Sequence, residues 1–439
     1  MKTSRRSLLM AMAGAGAAAS PVWASARAGD FAVPKDVVLL NNAGTHPLPR
    51  VAAQAMSDYL TGKAEGGFNP HFRLFQALPG PRAQFAQLIN ADPEEVALVQ
   101  STLMAENMVV SGLGVPGGRG NVVTDALHYD GALYLYRSLE SRALEVRIAP
   151  ARDGGIAIED LARLIDENTR LVSVSLISSI NGFTHDLKAI CEIAHAKGAL
   201  VYADIIQAVG AVPVDVKATN VDFAGCGSYK WLMGDCGAGF IYVRKDLLGK
   251  AISREHWGYL QCDELEQKPF GAPTSSDWPV RFKRAPGAVG YFEVGTPAFG
   301  VLTGLEKSMA LAQELGVPAI AAHIAGLIEP LHHPLLRGWP HDVPRPQRAR
   351  QGLGRPRPVR QRVGQAALSL DQVEAASSVG RGAYSYIWTF RRFKHFVRRR
   401  SEHGDCPNLL IERVFLPIIR CDPNSAAAQL SRQSSPQNN

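Results

Sequence analysis

Between about residue 95 and residue 245, short apolar runs alternate with amphipathic stretches. The runs 96–100, 121–124, 144–148, 171–176, 199–204, 222–226 and 239–243 read as strands, with helical patterns between several of them. In one such pattern Leu187, Ile190, Cys191 and Ala194 recur at i, i+3, i+4 and i+7, and the pattern stops at Gly198. That spacing predicts a crossover helix closed by a glycine cap. The alternation implies a mostly parallel sheet covered on both faces by helices, an α/β architecture. Ligands of such sheets sit beyond the carboxyl ends of the strands. Asp204 falls at one of those ends, and Lys230 lies in the loop just past the strand at 222–226.

The pattern fails at both ends of the chain. Ser4-Arg5-Arg6-Ser7-Leu8-Leu9 is a twin-arginine motif, followed by an apolar Ala/Gly-rich run to Ser20 and a small-residue site at Ala24-Ser25-Ala26. This predicts a signal peptide over 1–26, export by the twin-arginine machinery and a periplasmic destination. The apolar run is shorter than the roughly 18–20 residues a membrane span needs, so no stable span is expected. From about residue 333 the periodicity gives way to Arg/Pro/Gly-rich text such as Gly352-Leu353-Gly354-Arg355-Pro356-Arg357-Pro358, which a shifted reading frame in a GC-rich gene would produce. The expected division is an N-terminal segment at 27–60, a large domain at 61–300, a small domain at 301–400 that turns atypical from about 333, and a disordered tail at 401–439.

Charge follows the same division. The formal net charge of +7 over 439 residues would suggest an anionic partner. Yet 18 Lys and Arg stand against 7 Asp and Glu from residue 333 onward, leaving 29 against 33 before it. The main body therefore gives no electrostatic reason to expect nucleic acid. Six cysteines are scattered without CxxC or metal-ligand spacing, so no metal is expected, and one disulfide is possible without the sequence pairing it. Gly112-Leu113-Gly114-Val115-Pro116-Gly117 fits GxGxxG, but it follows a helix and precedes a strand, the reverse of dinucleotide binding.

The chemistry concentrates in two strand ends. Asp204 closes the apolar run Ala199-Leu200-Val201-Tyr202-Ala203, Gln207 follows one short turn later, and Ser228-Tyr229-Lys230-Trp231 follows the next strand. These three side chains are what a protein needs to hold pyridoxal 5'-phosphate (PLP). A lysine amine bonds the cofactor aldehyde, a carboxylate keeps the pyridine nitrogen protonated, and a side-chain amide reaches the ring hydroxyl. Ser101-Thr102-Leu103 opens a helix after the strand at 96–100, where free backbone N–H groups make an anion site suited to the cofactor phosphate.

With these motifs in place the chain resembles the class V aminotransferase family of fold-type I PLP-dependent enzymes, over roughly residues 37–332, and within it the isopenicillin N epimerase-like branch. The resemblance rests on Leu39-Leu40-Asn41-Asn42-Ala43-Gly44-Thr45, on Ser101-Thr102-Leu103-Met104-Ala105-Glu106-Asn107, on the Asp204, Gln207 and Lys230 set, and on Phe292-Glu293-Val294-Gly295-Thr296-Pro297. It implies a large domain with a mostly parallel sheet and a smaller C-terminal α+β domain, whose completeness here is left open. It implies a substrate-side loop at Asn42, Ala43 and Gly44, and an aromatic ring stacked on the cofactor from His128 or Tyr129, with His128 slightly favoured. It implies further cofactor contacts from Ser179 and Ser228, and Thr296 reaching the phosphate of a neighbouring subunit, hence a homodimer. Tyr229 stands where desulfurase relatives carry His, a departure that points toward the epimerase-like branch.

The resulting expectation is an enzyme that binds an amino acid covalently through PLP and removes its Cα proton, with Lys230 as base, as an epimerase or aminotransferase. Two alternatives stay open. One is a cysteine desulfurase or C–S lyase, for which Cys406 and Cys421 are the late cysteines. The other is a PLP-binding protein made inactive by its atypical C-terminal region, in which only Arg381 suggests itself for the substrate carboxylate.

Overall fold

A computed structural model describes residues 28–337 apart from 35, 36, 38, 40, 67–77, 118 and 267–280. The expected signal peptide, the tail at 401–439, most of the expected small domain, and Arg381, Cys406 and Cys421 lie outside the described residues.

In chain order the main elements are α1 (Arg50–Ala64), α2 (Pro79–Leu88), β1 (Val96–Val99), α3 (Thr102–Gly112), β2 (Asn121–Asp125), α4 (Asp130–Leu139) and β3 (Glu145–Ala149). After the small hairpin β4 (Ala151–Arg152) and β5 (Gly155–Ile156) come α5 (Ile158–Leu164), β6 (Thr169–Ser175), α6 (Leu187–Ala196), β7 (Leu200–Asp204), β8 (Phe223–Gly227) and β9 (Gly239–Val243). A second hairpin, β10 (Cys262–Leu265) with β11 (Phe282–Arg284), precedes the long helices α7 (Phe299–Leu315) and α8 (Val317–Arg337).

Seven strands form one sheet in the order β1-β9-β8-β7-β6-β2-β3. All its pairings are parallel except those of β9, which runs antiparallel to both β1 and β8. Every expected strand is present, with ends displaced by at most two residues. The expected crossover helix is α6, and Gly198 beyond it takes φ +79°, a left-handed conformation open to glycine.

The strands bury side chains in both directions. On one face Val201, Ala203, Phe240 and Tyr242 join Phe85 of α2, Ile190 of α6 and Leu305 and Met309 of α7. On the other, Tyr202, Phe223, Ile241 and Val243 join Ala105 and Val109 of α3 and Tyr136 of α4. Two-sided burial is why these strands read as continuous apolar runs. Among the described residues no single helix is long and apolar enough to cross a membrane; α7 and the first part of α8 pass that test only when joined across a 77° bend.

The glycine-rich segment 112–117 ends α3 and leads into β2, as expected for a loop. Of the cysteines in the described residues, Cys191 and Cys226 are buried, Cys236 is exposed and Cys262 is intermediate, all as free thiols.

Candidate active site

The carboxyl ends of β6, β7 and β8 meet the start of α3, and a cavity opens there. Ser175 and Asp204 are paired in register across β6 and β7, and Asp204 faces Gly225 across β7 and β8. Gly225 lacks a side chain because a Cβ there would lie 2.1 Å from the Tyr202 hydroxyl. That hydroxyl donates to the Thr102 carbonyl at 3.2 Å, and Thr102 Oγ1 accepts from the Gly227 N–H at 2.9 Å. The start of α3 is thus stitched to the strands that carry Asp204 and Lys230.

Ser101 caps α3, its hydroxyl accepting from the Met104 N–H at 3.1 Å. The other N–H groups of the first turn have no intrahelical acceptor, so this end of the cavity favours an anion. Ser101, Thr102 and Leu103 line the cavity, as do Tyr129, Ser179, Asp204, Gln207 and Lys230. Eight of the expected residues therefore converge.

Asp204 is buried, and its Oδ1 accepts from the Ile206 N–H at 3.0 Å. Burial pushes its carboxyl up to about 6, against the opposing pull of that N–H, His128 and Lys230. Burial also lowers the proton affinity of the Lys230 amine, with Asp204 and Cys226 working the other way. A lysine with a lowered proton affinity offers more neutral amine near neutral pH, which is the form that attacks a carbonyl carbon or accepts a proton. The Gln207 amide is held at both ends: Nε2 donates to the Ala43 carbonyl at 3.0 Å, and Oε1 accepts from Trp231 Nε1 at 2.9 Å. Through that bond and through the His46 N–H, which donates to the Tyr229 carbonyl at 3.0 Å, the segment Asn42-Ala43-Gly44 is fastened to the rim.

Other expected residues lie elsewhere. His128 is wholly buried behind the wall; of the two residues named for the stacking ring, Tyr129 is the one that lines the cavity. Ser228 is also wholly buried and spends its hydroxyl on the Asp235 carbonyl at 2.6 Å. Thr296 stands apart from the cavity, 2.5 Å from the Tyr259 hydroxyl. It borders a larger, mostly apolar cleft of about 300 Å³ lined by Val99, Met104, Phe292 and Pro297. Asn181 donates to the Gly154 carbonyl and accepts from the Phe183 N–H, which keeps it local.

Tyr229, noted in the sequence for its place beside Lys230, also lines the cavity, and so do Ser175, Ile177 and Ile206, which the sequence did not single out. Ser175 had a signal: in Leu171-Val172-Ser173-Val174-Ser175 the two serines share a strand face, and the second ends the strand beside Asp204.

The donor set fits PLP. An amine of lowered proton affinity, a buried carboxylate for a ring cation and an anion-favouring helix start face one cavity. Comparison with known proteins agrees. The aminotransferase class-V family matches residues 38–351. A probable cysteine desulfurase of Methanothermobacter thermautotrophicus is 32% identical over 311 residues, 69% of this chain and 73% of that protein. The uncharacterized aminotransferase YcbU of Bacillus subtilis is 29% identical over 290 residues, 65% of this chain and 72% of that protein. Among solved structures, the cysteine desulfurase CsdA of Escherichia coli superposes with a TM-score of 0.60 at 22% identity, over 72% of this chain and 78% of that one. The chain has the fold-type I architecture and belongs to the class-V aminotransferase family.

Proposed function

We propose that this protein is a PLP-dependent enzyme that cleaves a carbon–sulfur bond of an amino acid, as a cysteine desulfurase or C–S lyase. The observation that carries the PLP part is the convergence of Lys230, Asp204 and the start of α3 on one cavity. The sulfur part is supported by the relatives, which include a probable cysteine desulfurase at 32% identity. They favour this reading over the epimerase-like one to which Tyr229 pointed, although the aminotransferase YcbU keeps transamination as a second reading.

When bound, PLP supplies an electron sink for the bonds at the substrate Cα. Lys230 would hold the cofactor and, once displaced by substrate, carry the Cα proton. Asp204 would hold a ring cation by its negative charge. The Ser101 to Leu103 turn would seat the phosphate, and Gln207, fixed by Ala43 and Trp231, would limit the space left for substrate. Tyr229, whose hydroxyl burial keeps protonated, would face the substrate as a donor rather than as a base. The homodimer implied by the Gly295-Thr296-Pro297 motif and export through the twin-arginine route belong to the same proposal. Light scattering of the purified protein and the cell fraction holding the tagged full chain test them.

Borohydride reduction of PLP-loaded protein followed by peptide mapping tests the attachment. Label on Lys230, lost in Lys230→Ala, is the expected result; label on another lysine refutes it. With L-cysteine, sulfide formed with alanine (a reducing thiol present) marks a desulfurase, and sulfide formed with pyruvate marks a lyase. Keto acid from amino acids lacking sulfur, with no sulfide, would transfer the assignment to transamination.

A further inference from the structure

Behind the cavity wall, between the sheet and helices α3 and α4, lies a buried polar cluster. Glu106 of α3 is 1% exposed and His128 is 0% exposed. Glu106 Oε1 accepts from the Tyr136 hydroxyl at 2.7 Å and from Ser173 Oγ at 2.6 Å, and lies 3.3 Å from His128 Nε2. Against its burial, His128 and the two hydroxyls hold the Glu106 carboxyl below its ordinary value, as a carboxylate, and the attractive arrangement for Nε2 beside it is N–H. Ser173 Oγ, 3.1 Å from Nε2, has its own proton on Glu106 and therefore also accepts there. On the opposite side of the ring, Nδ1 lies 2.8 Å from Ser175 Oγ, and Ser175 lines the cavity with Asp204.

This last contact has two polarities. Against a neutral ring, the Ser175 proton is given to Nδ1 and the cavity meets only lone pairs. Against an imidazolium, Nδ1–H donates to Ser175 Oγ and the hydroxyl proton is released into the cavity. We propose that Glu106 is a positioning residue that keeps His128 doubly protonated, so that Ser175 presents a hydrogen-bond donor to the cofactor beside Asp204. The role rests on the PLP reading given above.

The groups around the ring agree on its charge. Glu106 from α3, Asp204 from the end of β7 and Asp125 from the end of β2 act on it, with Asp125 itself held by His185. The remaining neighbours, Ser173, Ser175 and Tyr136, are neutral hydroxyls. Burial disfavours the charged ring, and the carboxylates more than offset it. A donor at this wall suits a cofactor whose ring oxygen is an acceptor, and the Gln207 amide nitrogen already donates to the Ala43 carbonyl at 3.0 Å.

Nitrogen-15 NMR of the cofactor-free protein, with His128 assigned from its absence in His128→Asn, reads the ring directly. Wild type is expected to show both nitrogens protonated at pH 7. Glu106→Gln, which keeps an acceptor for Tyr136 and Ser173, is expected to show a neutral ring protonated on Nε2. A neutral ring in wild type, or an unchanged imidazolium in Glu106→Gln, overturns the proposal. In PLP titrations Ser175→Ala is expected to weaken binding about five- to tenfold in wild type. In Glu106→Gln the same change should cost less than about twofold, because the donor is already lost. Equal losses in both backgrounds overturn it. Should Glu106→Gln fail to fold, the wild-type spectrum and the Ser175→Ala titration decide: a neutral ring or unaltered affinity is fatal. Wild type that binds no PLP would instead refute the functional reading, while the NMR result still reports the ring.

Discussion

At the scale of single residues, Asp204 is a costly group to leave charged in the cavity. Its folded carboxyl titrates near 6 against an ordinary 3.8. The folded state therefore holds that proton more tightly than the unfolded chain does. The stability this gives is complete below about pH 4 and is lost as pH rises through 6. Asp204→Asn removes the charge and keeps an acceptor for the Ile206 N–H. It is expected to stabilise cofactor-free protein by up to about 3 kcal/mol at pH 8, with the gain shrinking toward pH 4. Urea denaturation at the two pH values measures this, and the same variant should lose most of its PLP affinity. The residues that announced themselves in the sequence were those with positional meaning, Asp204 at a strand end and Lys230 past the next one. Glu106 did not, because a lone acid in an apolar helix reads as a solvated position until the fold brings His128, Ser173 and Tyr136 around it.

At the scale of elements, Asp222 fastens three pieces at the amino end of the sheet. Its Oδ2 accepts from the Val201 N–H of β7 at 2.7 Å and lies 2.7 Å from Nε2 of His195 in the last turn of α6. Arg244, just past β9, pairs with the same carboxylate at 2.6 Å. Asp222→Ala strands the Val201 N–H and the arginine together and is expected to cost about 3–5 kcal/mol in chemical denaturation. Asp222→Asn, which keeps an acceptor oxygen, should cost clearly less. Strand positions were legible because two-sided burial writes apolar runs. Strand direction was not: β9 reads like its neighbours yet runs against both, since a period of two carries no sense of orientation.

For the molecule as a whole, cofactor binding and folding are one equilibrium. At PLP a hundredfold above its dissociation constant, the native state is expected to gain about 2.7 kcal/mol, visible as a higher melting temperature. Lys230→Ala should forfeit most of that gain, and melting scans with and without PLP provide the check. The α/β class and the placement of the site were both readable, because alternating runs fix the layers and the layers fix where strand ends converge. Partner-dependent features were less so: the resemblance assigns Thr296 to the phosphate of a neighbouring subunit, and in this structure it bonds Tyr259 within its own chain.

The clasp that binds Ala43 to Gln207 and His46 to Tyr229 joins the beginning of the described chain to positions synthesised far later, with Ala43 and Gln207 separated by 164 residues. During translation those early residues must wait, unfastened, until the lysine loop has emerged. The rim of the site is thus completed by a stretch of polypeptide that left the ribosome well before the lysine loop.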